Sequence, residues 1–223
     1  MQPLALITGA SRGIGAAVAH ALSPTHELLL GGRDTGALAE LAAALSDARP
    51  WPVELSDATT LAAATAGIQR LDVLVHSAGV ADLGPLADTP VSLWRNTFEV
   101  NVVAVAELTR LLLPALRAAH GTVVLVNSGQ GKRAAAGWGA YAASKFALTA
   151  YAEVLRAEEP GLRVSTVFPG RTATGMQRRV RATEGGEYQP EHYLRPESVA
   201  DAVRFAVSAP ADAQLPEIVV RPA

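Results

Sequence analysis

The chain has 223 residues, of which 49% are hydrophobic and 18% charged, so a compact globular fold is favoured over a disordered one. A formal net charge of −2 gives no electrostatic reason to expect a nucleic acid or an anionic membrane as partner. The absence of cysteine excludes disulfides, thiolate catalysis and sulfur-ligated zinc. No apolar run reaches the length of a membrane span, and the first apolar run begins almost at Met1, so we expect neither a membrane helix nor a signal peptide, and a cytoplasmic location.

Short apolar runs alternate with longer, alanine-rich amphipathic runs along the chain. Strands are predicted at residues 4–8, 27–30, 52–55, 71–76, 122–127, 163–168 and 217–221. Helices are predicted at residues 13–22, 36–47, 58–67, 91–119, 140–158 and 196–208. Strands that are apolar at nearly every position are typical of a parallel sheet covered on both faces. The pattern predicts one α/β domain over residues 1–223, a doubly wound parallel sheet of about seven strands with helices on both faces.

Two places interrupt this regular pattern. Pro114 lies inside the predicted helix 91–119, and we expect it to kink or split that helix because proline cannot donate a backbone hydrogen bond. Residues 175–193 have no clear periodicity and contain Gly185, Gly186 and Pro190, so we interpret them as a mobile surface loop. A loop of this length is often functional, and we expect it to form the roof of a substrate site.

The segment TGASRGIG at residues 8–15 joins the first predicted strand to the first predicted helix. Gly9, Gly13 and Gly15 let the backbone turn tightly and approach a phosphate, while the helix N-terminus supplies free N–H groups and a positive dipole end. The spacing differs from the ordinary G-x-G-x-x-G pattern, but the flanking strand and helix are the context that such a motif requires. The segment therefore predicts a site for a dinucleotide pyrophosphate.

The segment YAASK at residues 141–145 places a phenol and an ammonium on the same face of a predicted helix. A free tyrosine has a pKa near 10, and lowering it to neutrality requires roughly 4 kcal/mol. An ammonium about 5 Å away, at an effective dielectric constant of about 20, supplies roughly 3 kcal/mol. We therefore expect Lys145 to lower the pKa of Tyr141 and to make it an acid–base group.

These two motifs and several others, in the same order, show that the sequence resembles the short-chain dehydrogenase/reductase family over residues 4–222. HSAG at 76–79 loosely matches the N-N-A-G motif of that family, and FPGRTATGM at 168–176 matches its P-G-x-x-x-T segment. The ending LPEIVVRP resembles the subgroup of NADP-dependent dehydrogenases that act on short 3-hydroxy acids. The resemblance implies a single-domain Rossmann fold and hydride transfer between a nicotinamide and a carbonyl or alcohol.

The resemblance also implies which residues form the site. The implied catalytic residues are Asn101, Ser128, Tyr141 and Lys145. The implied cofactor contacts are Gly9, Ser11, Arg12, Gly13, Ile14, Gly15, Arg33, Glu54, Leu55, Ala78, Gly79, Tyr141, Lys145, Pro169, Gly170, Thr172 and Thr174. Ser128 follows a predicted strand and would stabilise charge on the carbonyl oxygen. Asn101 is implied to distort its helix and to hold a water that links Lys145 to solvent.

The residues after the second predicted strand bear on the choice of nicotinamide. By the resemblance, the acidic position that binds the ribose 2′-hydroxyl of NAD corresponds to Gly32, which leaves it empty. Arg33 follows it, and Arg12 lies in the glycine loop, so we expect the 2′-phosphate of NADP to bind here. Asp34 leaves NAD as an alternative, because a shift of one residue would bring its carboxylate to the ribose.

The expected activity is reversible reduction of a small ketone or aldehyde to an alcohol with NADPH. One alternative is a 3-oxoacyl reductase acting on acyl-carrier-protein thioesters, and another is a redox sensor that binds NADP without turnover. A substrate carboxylate would find arginines nearby, although these residues equally suit a solvated basic turn. They are Arg133, Arg171, Arg178, Arg179 and Arg181.

The remaining expectations concern partners. The two long predicted helices, 91–119 and 140–158, carry many small and apolar residues, and in the resembled family such helices pair between subunits, so we expect a homodimer or homotetramer. No metal site is expected, because the histidines show no ligand spacing with carboxylates. These are His20, His26, His120 and His192. No nucleic acid or membrane partner is expected.

Overall fold

The computed structural model describes residues 2–223. The strands are β1 (Leu4–Thr8), β2 (Glu27–Gly32), β3 (Ala48–Pro52), β4 (Val73–His76), β5 (Thr122–Val126), β6 (Arg163–Pro169) and β7 (Glu217–Val220). The helices are α1 (Gly13–Leu22), α2 (Thr35–Ala43), α3 (Ala58–Thr65), α4 (Val91–Phe98), α5 (Ala104–Ala119), α6 (Gly139–Glu158), α7 (Gly175–Thr183) and α8 (Pro196–Val207). A π-helical segment, Glu99–Val103, lies between α4 and α5.

All strands pair in parallel in one 7-stranded sheet of order β3-β2-β1-β4-β5-β6-β7. The order changes direction between β1 and β4, which are adjacent although two strands separate them in sequence. In open α/β sheets such a switch point opens a crevice at the carboxyl ends of the strands, where ligands bind. The predicted doubly wound Rossmann fold is confirmed, and its switch point fixes where the site must lie.

Each face of the sheet has its own hydrophobic core, because side chains alternate along each strand. Ile7 and Val75 face a core that includes residues of α1, α2 and α8. Leu6 and Leu74 face the other core, which includes residues of α3, α5 and α6. Both faces are therefore covered by helices, as the continuous apolar strands predicted.

The third strand was predicted four residues too late. It spans Ala48–Pro52 instead of residues 52–55, and it pairs only with β2, at the edge of the sheet. Prolines lack the N–H that a central strand needs, but an edge strand tolerates them. The segment ARPWP is therefore a strand despite Pro50 and Pro52, and Glu54 and Leu55 follow it.

The long helix predicted at 91–119 is interrupted at Asn101, where the π-helical segment Glu99–Val103 separates α4 from α5. The expected distortion at Asn101 is therefore confirmed. Of the two outcomes expected at Pro114, a kink or a split, the split is excluded, because α5 continues through it. Pro114 is exposed, so the carbonyl that loses its helical partner can be hydrated instead.

Residues 175–193 are not a loop throughout, because Gly175–Thr183 forms α7. The Thr174 side chain caps this helix by accepting a hydrogen bond from the Gln177 N–H, at 3.2 Å. The loop interpretation is wrong for this first half, since α7 has few apolar residues and depends on its cap and on packing of Val180. None of the helices within residues 2–223 has both the length and the apolarity to cross a membrane.

Candidate active site

The glycine loop and the start of α1 form one wall of a groove at the carboxyl edge of the sheet. Gly9 has φ +68°, and a Cβ atom there would lie 2.9 Å from the backbone of Ala78. A Cβ on Gly15 would lie 2.2 Å from the Gly9 carbonyl oxygen, so both positions require glycine. No side chain caps α1, and Gly13, Ile14 and Gly15 line the groove with its first N–H groups. This cradle fits a pyrophosphate.

The opposite wall of the groove follows β4 and is held by two buried polar side chains. Thr8 Oγ1 accepts hydrogen bonds from the N–H groups of Ser77 and Ala78, both at 3.1 Å. Asn101 accepts from the Val80 N–H at 2.9 Å and donates to the Val80 carbonyl at 3.0 Å. The stretch from Ser77 to Val80 is thereby fixed against the glycine loop.

At the outer end of the groove, Gly32, Arg33, Glu54 and Leu55 come together. Gly32 offers no carboxylate to a ribose, as expected. The Asp34 carboxylate caps α2 by accepting from the Ala37 N–H at 3.1 Å, so it already has a structural partner. The exposed Arg33 guanidinium pairs with Glu54 at 3.3 Å and must leave that partner, or share it, to bind a phosphate.

Ser128 lies directly after β5, where its position is set by Asn127. The Asn127 side chain accepts from the Ser128 N–H at 2.8 Å. It also donates to the Lys145 carbonyl at 3.1 Å and to Thr149 Oγ1 at 3.0 Å. A Cβ on Gly131 would lie 2.5 Å from the Asn127 carboxamide, so glycine is required there. The end of β5 is therefore tied to α6, which carries Tyr141.

Tyr141 and Lys145 face the same region from α6, and both are buried. The Lys145 ammonium is 5.8 Å from the centre of the Tyr141 ring and donates to the Val126 carbonyl at 3.1 Å. Burial raises the pKa of Tyr141, and a hydrogen bond with Ser128 offsets only part of this rise. Burial also lowers the pKa of Lys145 to about 8, so the amine is still largely charged at pH 7.

The expectation that Lys145 lowers the pKa of Tyr141 is therefore wrong for the protein alone. The spacing in the sequence gave the correct proximity, but it contained no information on burial, and desolvation of the buried phenol is the largest cause of its raised pKa. The phenol consequently keeps its proton at neutral pH.

A second cleft adjoins the groove and contains Ser128 and Tyr141. The two cavities share Ile14, Thr174 and Met176, so a ligand in the groove and a ligand in the cleft would meet there. Trp138 also lines the cleft, with its ring centre 5.6 Å from that of Tyr141.

The predicted cofactor residues divide between these two cavities. The groove contains Gly9, Ser11, Arg12, Gly13, Ile14, Gly15, Arg33, Glu54, Leu55, Ala78, Gly79 and Thr174. Pro169, Gly170 and Thr172 line the cleft instead. The Thr172 and Thr174 hydroxyls have local partners, the carbonyl groups of Gly170 and Thr172. Asn101 and Lys145 line neither cavity and lie buried behind them.

The arginines near the cleft have different surroundings. Glu184 forms ion pairs with both Arg171 and Arg181, at 2.7 Å each. The guanidinium of Arg178 lies 4.8 Å from the centre of the Tyr188 ring. Arg179 lines the groove rather than the cleft. Arg133 lines the cleft and is exposed. The five arginines thus do not form one common anchor for a substrate carboxylate.

Sequence reasoning missed three residues of this region. Asn127 had a local signal, an amide at the end of a buried strand directly before Ser128. Met176 and Gln177 lay in the segment interpreted as a loop, although T-x-x-Q at 174–177 matches a helix-capping pattern.

Comparison with known proteins agrees with this geometry. A family model described as short chain dehydrogenase matches residues 3–185. Dehydrogenase/reductase SDR family member 11 of Mus musculus is 32% identical over 98% of this chain and 94% of its own length. Glycine betaine reductase ATRR of Emericella nidulans is 35% identical over 98% of this chain, which spans only 18% of that relative.

Solved structures give the same result. An alcohol dehydrogenase from the archaeon Thermococcus sibiricus, complexed with 5-hydroxy-NADP, has a TM-score of 0.91 and 26% identity, covering 100% of this chain and 97% of that one. A short-chain dehydrogenase from Shigella flexneri, complexed with NADP, has a TM-score of 0.90 and 26% identity, covering 98% and 96%.

The fold and the site thus define an oxidoreductase that acts on small molecules. The chain belongs to the short-chain dehydrogenase/reductase family, which confirms the resemblance seen in the sequence. The structural neighbours with bound NADP or its derivative indicate a nicotinamide cofactor.

Proposed function

We propose that this protein transfers a hydride between NADP(H) and a small carbonyl or alcohol. The observation that carries the proposal is the junction of the two cavities at Ile14, Thr174 and Met176, with Ser128 and Tyr141 in the cleft beside it. A nicotinamide bound in the groove supplies or accepts the hydride. The chain supplies the groups that hold the carbonyl and move its proton.

Tyr141 is the proton donor in this proposal. Because burial raises its pKa, the phenol is protonated at neutral pH and can donate to a carbonyl oxygen as that oxygen gains charge. The Ser128 hydroxyl donates a second hydrogen bond to the same oxygen and stabilises the developing charge. A protonated phenol is the form of Tyr141 that carbonyl reduction requires.

Lys145 and Asn101 support Tyr141 from behind. Asn101 donates to Ser144 Oγ at 3.0 Å, and Ser144 Oγ donates to the Tyr141 carbonyl at 2.7 Å. Lys145 is held by the Val126 carbonyl, at the end of the strand that positions Ser128. We propose that Lys145 binds the nicotinamide ribose and that Asn101 holds a water that links Lys145 to solvent.

The preference for NADP rests on the charges at the outer end of the groove. Arg12 and Arg33 line the groove, Glu54 is paired with Arg33, and Asp34, whose carboxylate would favour NAD, caps α2. We expect kcat/KM with NADPH to exceed that with NADH, and Arg33→Ala to reduce this ratio about tenfold. Glu54→Gln, which frees Arg33 from its ion pair, should raise the ratio. An unchanged ratio in both variants would contradict the assignment.

Turnover is the direct test of the proposed activity. NADPH oxidation is followed with a panel of small ketones and aldehydes, and with a 3-oxoacyl thioester of acyl-carrier protein. Consumption with free carbonyls supports the proposal, and consumption with the thioester alone supports the 3-oxoacyl reductase. Tight NADPH binding without any consumption would instead indicate a redox sensor.

We also propose that residues 175–193 form the roof of the substrate cleft and that the protein is a homodimer or homotetramer. Two residues of this segment, Met176 and Val180, already line the cleft, which supports the proposed roof. Phe146 and Val154 are 44% and 52% exposed on α6, although large apolar side chains are usually buried. A second copy of the chain packed on α6 would cover them.

A further inference from the structure

The cleft contains a buried carboxamide that has no protein partner. Gln177 is 7% exposed, lines the cleft, and its Nε2 group makes no hydrogen bond within residues 2–223. The side chain does not close the capping box of α7, although its backbone N–H is bound by Thr174. Buried polar groups in proteins are nearly always paired, so an unpaired one at a cavity indicates a missing partner.

Most other polar groups of the cleft have partners or proposed roles, and Arg133 lies exposed at its edge. Ser128 and Tyr141 serve the reacting carbonyl. Gln130 accepts from the Ala135 N–H at 3.1 Å, and Arg171 is paired with Glu184. Gln177 lies between Met176 and Val180 on the wall formed by α7, so its amide interrupts an otherwise apolar surface. Gln177 lines the cleft together with Ser128 and Tyr141, and it does not line the groove of the glycine loop, so we assign it to the substrate.

We propose that Gln177 determines substrate specificity by donating an N–H to a second oxygen of the substrate, away from the reacting carbonyl. The inference rests on the proposed function of the cleft. The substrate class is then a carbonyl compound that also carries an acceptor oxygen, either an anionic carboxylate or a neutral ester. A plain ketone would leave the amide unpaired and would be used less efficiently.

The test compares three methyl ketones that differ in the second group: acetoacetate, methyl acetoacetate and 2-pentanone. Gln177→Met keeps the length and helix preference of the side chain and removes the donor. We expect kcat/KM of Gln177→Met to fall about tenfold for acetoacetate and methyl acetoacetate, which carry a second oxygen group, and to stay within about twofold for 2-pentanone. Gln177→Glu adds a negative charge, so it should lower kcat/KM for anionic acetoacetate more than kcat/KM for the neutral methyl ester.

The controls separate this role from a structural one. Gln69→Met makes the same chemical change at an exposed position outside both cavities and should alter none of the three reactions. The proposal is overturned if Gln177→Met lowers kcat/KM equally for all three ketones, or lowers it for none of them. Weaker NADPH binding with unchanged discrimination among the ketones also overturns it, since the amide would then serve the nucleotide.

A binding measurement tests the role of Gln177 even if the proposed function fails. If the unaltered protein consumes NADPH with none of the ketones, the same three compounds are titrated into the protein saturated with NADP⁺. If acetoacetate and methyl acetoacetate bind more weakly to Gln177→Met than to the unaltered protein, while 2-pentanone binds equally to both, the assignment of Gln177 is still supported. Binding that is the same in both proteins overturns it.

Discussion

His76 is a buried histidine that makes stability depend on pH. Thr109 donates its hydroxyl hydrogen to the Val105 carbonyl at 2.8 Å, so the 2.9 Å contact with His76 is a bond donated by the ring Nε2–H. Burial lowers the pKa of His76 from 6.5 to about 3, so the ring stays neutral in the folded state. Between these two values the unfolded chain binds the extra proton, and acid therefore favours unfolding.

We predict that His76→Gln reduces the acid sensitivity of the fold. In the unaltered protein, this one side chain should cost about 1.4 kcal/mol of unfolding free energy per pH unit below about pH 6. Glutamine keeps an amide that can donate to Thr109 and does not titrate. Urea unfolding measured between pH 4 and pH 7 checks this, and equal slopes for the two proteins would contradict it.

Lys145 changes stability with pH in the same direction as His76, because burial lowers its pKa too, but Lys145 is charged at pH 7 and only 5% exposed. Its pKa falls from 10.5 to about 8 on burial, so below pH 8 the folded state bears the full desolvation cost, and this cost is relieved between pH 8 and 10.5. We predict that Lys145→Met is more stable than the unaltered protein at pH 7 by about 3 kcal/mol, which is the fall in pKa from 10.5 to about 8 at about 1.4 kcal/mol per unit. The difference should shrink towards pH 10. A variant that unfolds more easily at pH 7 would show that the ammonium is well compensated.

At the scale of elements, the π-helical segment Glu99–Val103 connects the two sides of the site. Its Asn101 bonds both backbone groups of Val80, beside the groove, and Ser144 on α6. Because the helix is distorted here, the Asn101 side-chain amide can reach all three of these hydrogen-bond partners at once.

We predict that Asn101→Ala lowers the free energy of unfolding by about 2–4 kcal/mol, because the buried Ser144 hydroxyl and the two half-buried backbone groups of Val80 lose their partner. Nucleotide binding should weaken as well, since the backbone near Val80 lines the groove. Ser144→Ala removes only one of the partners and serves as the control, with a smaller loss of stability and little change in nucleotide affinity. Urea unfolding and fluorescence titration with NADPH measure both effects. Equal effects of the two substitutions would contradict this account.

At the scale of the whole molecule, the sequence predicted the features that depend on local patterns. The alternation of apolar strands and helices gave the parallel sheet, and the loop at residues 8–15 gave the groove. Prediction from the sequence failed where contacts between distant parts of the chain determine the local structure. Residues 48–52 form a strand because they lie at an edge, and α7 is a helix because Thr174 caps it and Val180 is buried. The pKa of Tyr141 likewise depends on burial, which the spacing to Lys145 does not encode.

The proposed assembly is also a property of the whole molecule. We predict that Phe146→Glu converts the oligomer into a monomer, because a charge would be buried where two copies of α6 meet. Light scattering during size-exclusion chromatography measures the change in mass. Phe205→Glu is the matched control, since Phe205 is 60% exposed on α8, outside α6. A monomeric unaltered protein, or an unchanged mass in Phe146→Glu, would contradict the proposed interface.

The central claim is that the Tyr141 phenol donates the proton to the reacting carbonyl. Tyr141→Phe keeps the ring and removes only the hydroxyl, so it is the most direct test. We predict that NADPH oxidation with an active ketone falls at least about a thousandfold, while the affinity for NADPH changes less than about threefold. Turnover in Tyr141→Phe within about tenfold of the unaltered protein would show that another group supplies the proton.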